Sequence, residues 1–239
     1  MKKGNILISS ARSGTNYFLS VFAKCFTDAF VVKEIFRPAG DSFPQLEELL
    51  GLNKDQVVEL VGSNPLGLWQ QITQKCSEQE RVALAKIFYY HVDSDNALWS
   101  HFHDNNRVIH LIRRNPFDVF LSHKVASQTG KWQQFGSKGE PVEVQPLVID
   151  AEELQAFISK QSAFIDATRA RFRGADYHEV FYEDLAVSVD ECVATISSIM
   201  GTPAPKSAIS IGLKKQKDKT NADLVSNYDD VAQLDTPLF

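Results

Sequence analysis

Ile6-Leu7-Ile8 is a short apolar run that gives way to the small polar stretch Ser9-Ser10-Ala11-Arg12-Ser13-Gly14-Thr15-Asn16. Phe18, Leu19, Phe22 and Phe26 then recur at helical spacing, so the pattern predicts a buried strand, a tight turn and an amphipathic helix from Thr15 to Thr27. Phe30 to Lys33, Ala83 to Tyr90, Arg107 to Ile112 and Tyr177 to Phe181 predict four more strands. Between the second and third, Leu46, Leu49, Val57, Leu60 and Val61 mark helical pieces over residues 44–75. Turn formers at Gly62 to Pro65 interrupt them, and they are expected to cover whatever site the sheet carries. After the fourth strand, Asn115, Pro116 and Asp118 supply an N-cap, a first helical position and a capping-box partner, and Phe117, Phe120, Leu121 and Val125 form the buried stripe. Asp150 with Glu153 starts another helix, whose inner stripe runs through Leu154, Ile158, Gln161, Ile165 and Phe172.

Residues 126–150 hold Gly130, Gly136, Gly139, Pro141 and Pro146 with few apolar positions. They predict a long loop, either a lid on the acceptor side of a site or a segment without such a role. Strands alternating with helices predict an α/β fold, one domain over residues 1–239 with a central parallel sheet flanked by helices. Ligands of such sheets sit beyond the carboxyl ends of the strands, where both basic turns, at Arg12 and at Arg113-Arg114, are expected.

Composition narrows the function. With 239 residues, 44% hydrophobic and 23% charged, the chain suits one sizeable soluble core. A net charge of −5 argues against broad nucleic-acid binding, which needs a dense basic surface, so any anion site is local. Cys25, Cys76 and Cys192 are odd in number and far apart, which suggests neither a disulfide framework nor a metal site and fits a reducing compartment. The His residues show no ligand spacing, and no metal is expected. No stretch approaches a membrane span, and Ile6 to Ile8 is too short for the apolar part of a signal peptide.

The first turn has the chemistry of a phosphate cradle. Small residues around one Gly let successive N–H groups converge, and the helix that follows adds unpaired donors and its positive dipole end. It is not an ATP-binding loop of the ordinary kind: no Lys follows the last Gly, and Arg12 precedes it. A plain strand-to-helix turn is the other reading of this segment alone. In the second basic turn, Arg114 and Ser122 are not needed to start the helix. They lie about two helical turns apart at about 1.5 Å rise per residue, a span over which an Arg could fold back to share a phosphate with a hydroxyl.

Taken together, these segments resemble the sulfotransferases that use 3′-phosphoadenosine 5′-phosphosulfate (PAPS). Arg12-Ser13-Gly14-Thr15 is similar to that family's 5′-phosphosulfate loop, and Arg114-Asn115-Pro116 with Asp118 and Ser122 to its 3′-phosphate motif. Tyr182-Glu183-Asp184-Leu185 is similar to its element near the adenine, and Leu213 to Gln216 with Asn227-Tyr228-Asp229 resembles the bacterial nodulation-factor and glycolipid branch. The resemblance implies a P-loop-like sulfotransferase fold and transfer of a sulfuryl group from PAPS to an acceptor hydroxyl on a carbohydrate or glycolipid. A small molecule or glycan is the implied partner, in a cytoplasmic, bacterial enzyme. It further implies that Ser13, Gly14, Thr15, Asn16 and Tyr17 hold the donor together with Arg12, Arg114, Ser122, Tyr182 and Lys215. Asn16 replaces a second hydroxyl, and Tyr17 stands where a Trp is frequent. Arg12 would neutralise the departing phosphate, and Lys86 would touch the sulfate.

Two residues compete for the role of base. Glu34, at the end of the second strand, is similar to the carboxylate of glycan-acting relatives, and its plain alternative is a salt bridge with Lys33 or Arg37. His91 could serve only if the third strand has ended or bulged before it, because alternation puts it opposite Lys86, Phe88 and Tyr90. Glu34 is the stronger candidate. Two other functions stay open at this point: a small-molecule kinase, and a nucleotide-binding relative without turnover.

Overall fold

A computed structural model of the chain describes residues 3–37, 43–130, 132, 144–205, 207–211 and 220–239. Its elements run β1 (Gly4–Ser9), α1 (Thr15–Cys25), β2 (Ala29–Lys33), α2 (Phe43–Leu50), α3 (Lys54–Ser63), α4 (Pro65–Glu78), β3 (Val82–Phe88) and α5 (Leu98–Asn105). There follow β4 (Asn106–Ile112), α6 (Pro116–Thr129), α7 (Ala151–Arg171), β5 (Asp176–Phe181), α8 (Tyr182–Leu185), α9 (Val189–Met200), α10 (Asn221–Leu224) and α11 (Tyr228–Val231).

All five strands pair in parallel, in the order β2-β3-β1-β4-β5. From β1 the chain leaves for one edge, returns through β3, and then crosses to the other side. The crevice above the carboxyl end of β1 is therefore the place where the topology reverses, the usual ligand position of an open parallel sheet. Alternation along β1 explains the layers. Ile6 and Ile8 enter one core with Leu68, Trp69, Ile72 and Phe102, whereas Leu7 enters another with Phe18, Phe22 and Ile196. Thus α2 to α4, expected to cover the site, instead form the layer on one sheet face, and α1 and α9 cover the opposite face. A third cluster ties α6 and α7 to α10 and α11 through Phe117, Leu121, Leu154, Leu224 and Val231.

Several boundaries differ from expectation, and α1 ends at Cys25 and not at Thr27. Helix α6 continues to Thr129 and ends on Gly130 at φ 67°, so residues 126–129 are helix and not loop. Gly supplies this left-handed cap without a Cβ penalty. Strand β3 stops at Phe88 because the His91 N–H turns back to donate to the Phe88 carbonyl at 3.0 Å. Of the expected loop, residues 131 and 133–143 lie outside the described residues.

Among the described residues no helix is long and apolar enough to cross a membrane. Cys25, Cys76 and Cys192 are free thiols.

Candidate functional site

The turn after β1 carries alternating left-handed backbone, Arg12 at φ 69° and Gly14 at φ 86°. Alternation of this kind curls successive N–H groups toward one point and makes an anion-binding concavity. Gly14 is the N-cap of α1, and no side chain caps that helix. Asn53, Asn64, Asn115, Asp150 and Ser188, by contrast, cap α3, α4, α6, α7 and α9. The first turn of α1 thus has no side-chain cap, as is also the case at α5, and its N–H groups are the kind of donors that suit an anion. Position 14 also needs glycine for space, since a Cβ there would lie 2.1 Å from the Tyr182 ring. Tyr182 thus packs directly on the loop, and the Tyr17 hydroxyl donates to the Leu185 carbonyl at 3.2 Å. Ser13 and Thr15 are buried, and Ser13 shares a hydrogen bond with Ser10 at 2.6 Å.

The two basic segments meet through Arg12 and Ser122. Arg12 Nε donates to Ser122 Oγ at 3.0 Å, and its Nη1 donates to the Trp132 carbonyl. Arg114 instead forms a two-pronged pair with Asp184 at 2.7 and 2.8 Å, while its backbone N–H donates to Glu183. The planar guanidinium matches the geometry of a carboxylate fork, which explains the Arg114–Asp184 pair. That pairing raises the Arg114 pKa and lowers that of Asp184. Asp118 does not complete a capping box either. It accepts from Arg113 Nη2 at 3.1 Å and from Asn221 at 3.1 Å.

Arg113 was not among the expected residues, yet it holds the site together. Its Nη1 donates to the Arg12 carbonyl at 3.3 Å, and its guanidinium lies 5.2 Å from the Tyr182 ring centre. Its Nε is buried without a hydrogen-bond partner among the described residues, and so is one end of the Asn16 side chain. A small cavity between Ser10, Ser13, Tyr89, Arg113 and Gln161 opens beneath the loop. Burial lowers the Arg12 pKa, and the neighbouring charge of Arg113 lowers it further. Two guanidinium groups kept this close fit an anion of high charge. Alternation at the end of β4 carried the signal for Arg113, because consecutive residues leave a strand in opposite directions.

The second group of candidates gathers at the carboxyl ends of β2 and β3. Glu34 continues the ladder, its N–H donating to the Lys86 carbonyl at 2.9 Å. Its backbone adopts φ 54°, and its side chain is 11% exposed. Lys86 Nζ donates to Oε1 at 2.7 Å and Arg37 Nη1 lies 3.3 Å from Oε2, so the partners are Arg37 and Lys86. Because β3 has ended, His91 reaches the same cluster. Its Nδ1 accepts the Phe88 N–H at 3.2 Å. An amide can only donate, so Nδ1 carries the lone pair and Nε2 carries the hydrogen. Burial pushes the imidazole down to about 4, with Arg37 and Lys86 adding to the effect against Glu34. His91 is accordingly a neutral donor, whereas Glu34 offers acceptor oxygens.

Lys215 lies outside the described residues. Among the described residues no group of His, Cys, Asp and Glu could hold a metal ion.

No protein-family model matches the chain, and no curated protein does. Solved structures do. A sulfotransferase domain from the curacin biosynthetic pathway superimposes with a TM-score of 0.54 at 13% identity, over 85% of this chain and 76% of that one. A sulfotransferase domain from the Synechococcus PCC 7002 olefin synthase gives 0.53 at 14% identity, over 95% and 81%. A sulfotransferase from Alicyclobacillus acidocaldarius gives 0.52 at 12%, over 94% and 88%. The chain therefore has the P-loop-like α/β fold of sulfotransferase domains.

Proposed function

We propose that this chain is a PAPS-dependent sulfotransferase acting on a carbohydrate or glycolipid hydroxyl. The observation that carries the reading is the Arg12–Ser122 contact, which joins two phosphate-type motifs 110 residues apart beside a helix start left uncapped by any side chain. A donor bearing a 5′-phosphosulfate and a 3′-phosphate needs two anion sites on one crevice. The buried Nε of Arg113, without a partner among the described residues, and the uncapped first turn of α1 suit the anion.

In the reaction, the acceptor oxygen forms a bond to sulfur as the bond from sulfur to the 5′-phosphate oxygen breaks. The products are a sulfate ester and adenosine 3′,5′-bisphosphate. N–H groups of residues 13–16 hold the phosphate, and Arg12 offsets the charge that grows on it. Glu34 takes the hydroxyl proton through the carboxylate that Lys86 and Arg37 orient. His91, with Nε2 protonated, is a donor in this arrangement and not the base.

Calorimetric titration with adenosine 3′,5′-bisphosphate, compared with ATP and magnesium, tests the reading. Saturable binding of the bisphosphate without magnesium is expected. Binding of ATP with magnesium and none of the bisphosphate would make the chain a kinase-like protein instead.

A further inference from the structure

The turn that ends β3 packs three rings together, one of them beside Lys86. Phe88 and His91 have ring centres 4.9 Å apart, Tyr90 and His91 5.2 Å, and Lys86 Nζ lies 4.9 Å from the Phe88 centre. Tyr90 is 57% exposed, so part of its ring is open to solvent beside the imidazole. The backbone bond from His91 to Phe88 and the Phe88 N–H held by Nδ1 close the turn twice, so the imidazole cannot swing away without losing a bond. That leaves Nε2–H as a donor with no hydrogen bond among the described residues, next to the carboxylate.

We infer that Tyr90 and His91 form the acceptor subsite for a pyranose ring: its C–H face lies on Tyr90, and a hydroxyl beside the reacting one accepts from His91 Nε2. The inference rests on the proposed sulfuryl transfer at Glu34 and adds the residues that recognise the acceptor. The polar surroundings favour a sugar over a phenol. The His91 imidazole packs on the Tyr90 ring, and the Glu34 and Arg37 charges act on both side chains, so a purely apolar acceptor would desolvate these groups without offering hydrogen bonds in return. A polyhydroxylated ring has an apolar face for the aromatic side chain and hydroxyls for its polar neighbours. His91 is on this account a positioning and specificity residue, and its low basicity suits a donor.

Saturation-transfer NMR tests this with methyl β-D-glucopyranoside, methyl β-D-galactopyranoside, phenol and cyclohexanol as probes. Each is measured on the full chain with and without adenosine 3′,5′-bisphosphate. At least one pyranoside is expected to show saturation at its ring protons. The effect should persist in Tyr90→Phe, fall at least fivefold in Tyr90→Ala, and weaken at least threefold in affinity in His91→Phe. Thermal melts of each variant check folding, and Tyr90→Phe serves as the conservative control. Saturation of no pyranoside, equal saturation in Tyr90→Ala, or stronger saturation of phenol overturns the subsite. Failure of the bisphosphate to bind by calorimetry would instead remove the donor reading, and the sugar measurement without nucleotide keeps the two failures apart.

Discussion

Arg12 and Glu34 adopt positive φ although neither is glycine, and each such residue costs roughly 1–3 kcal/mol unless its surroundings hold it. Both are held, Arg12 by Ser122 and the Trp132 carbonyl, Glu34 by the Lys86 carbonyl and ammonium. If Glu34 is the base, Glu34→Gln lowers the transfer rate by about 100-fold or more while bisphosphate affinity in calorimetry stays within about twofold. Loss of turnover in His91→Gln with Glu34→Gln unaffected would reverse that assignment. Arg114 makes a second case. Its end-on fork is taken by Asp184, which is 62% exposed and so competes with a phosphate for the guanidinium. Asp184→Asn should then tighten bisphosphate binding severalfold, by roughly 0.5–1 kcal/mol. Weaker binding in that variant would show that Asp184 positions Arg114 and does not compete for it. The interval from Arg114 to Ser122 was legible in the chain. The partner of each was not, because Asp184 lies 70 residues beyond Arg114, where local spacing carries no information.

At the scale of elements, hydrophobic period was a good guide and turn chemistry a poorer one. The five strands were found from short apolar runs, and α1 from its Phe18, Leu19 and Phe22 stripe. The end of α6 was misplaced because a Gly-rich stretch drew the boundary back, although Gly130 is a helix cap. What joins β4, β5, α7 and the turn after β3 was invisible, since it is a partly buried polar chain. Arg169 grips Glu179 at 2.8 Å through two nitrogens, and the Tyr177 hydroxyl donates to Glu179 at 2.9 Å. Glu179 only accepts, so His110 Nδ1–H donates to Tyr177 at 2.6 Å and Nε2 accepts from Tyr89 at 2.7 Å. Burial pushes His110 down to about 3, below its unfolded value. A folded pKa that is depressed makes the unfolded chain bind the extra proton. The stability is then present above about pH 6.5 and is lost as pH falls toward 3. Between pH 7 and 4 the unfolding free energy from urea titration should drop by on the order of 3 kcal/mol on account of His110 alone. His110→Gln should flatten that part of the profile, and an unchanged slope would remove His110 from the account.

For the whole molecule, strand order decides what the parts can do. Placing β1 between β3 and β4 brings the Arg12 turn, the Arg113-Arg114 turn and the Glu34–Lys86 pair to one edge of the sheet, although they lie far apart in sequence. Right-handed crossovers made a parallel sheet legible from alternating strands and helices, but not this order. The net charge of −5 is no obstacle, because an anion site needs only local donors, and Arg12 and Arg113 lie together where β1 and β4 end. Incubation of the purified chain with sulfur-35-labelled PAPS and a panel of sugar, glycolipid and phenol acceptors is the decisive measurement for sulfuryl transfer. The account predicts label moving to a sugar hydroxyl as a sulfate ester, with one bisphosphate released per ester and transfer abolished in Arg12→Ala. Bisphosphate binding with no labelled ester from any acceptor would contradict it.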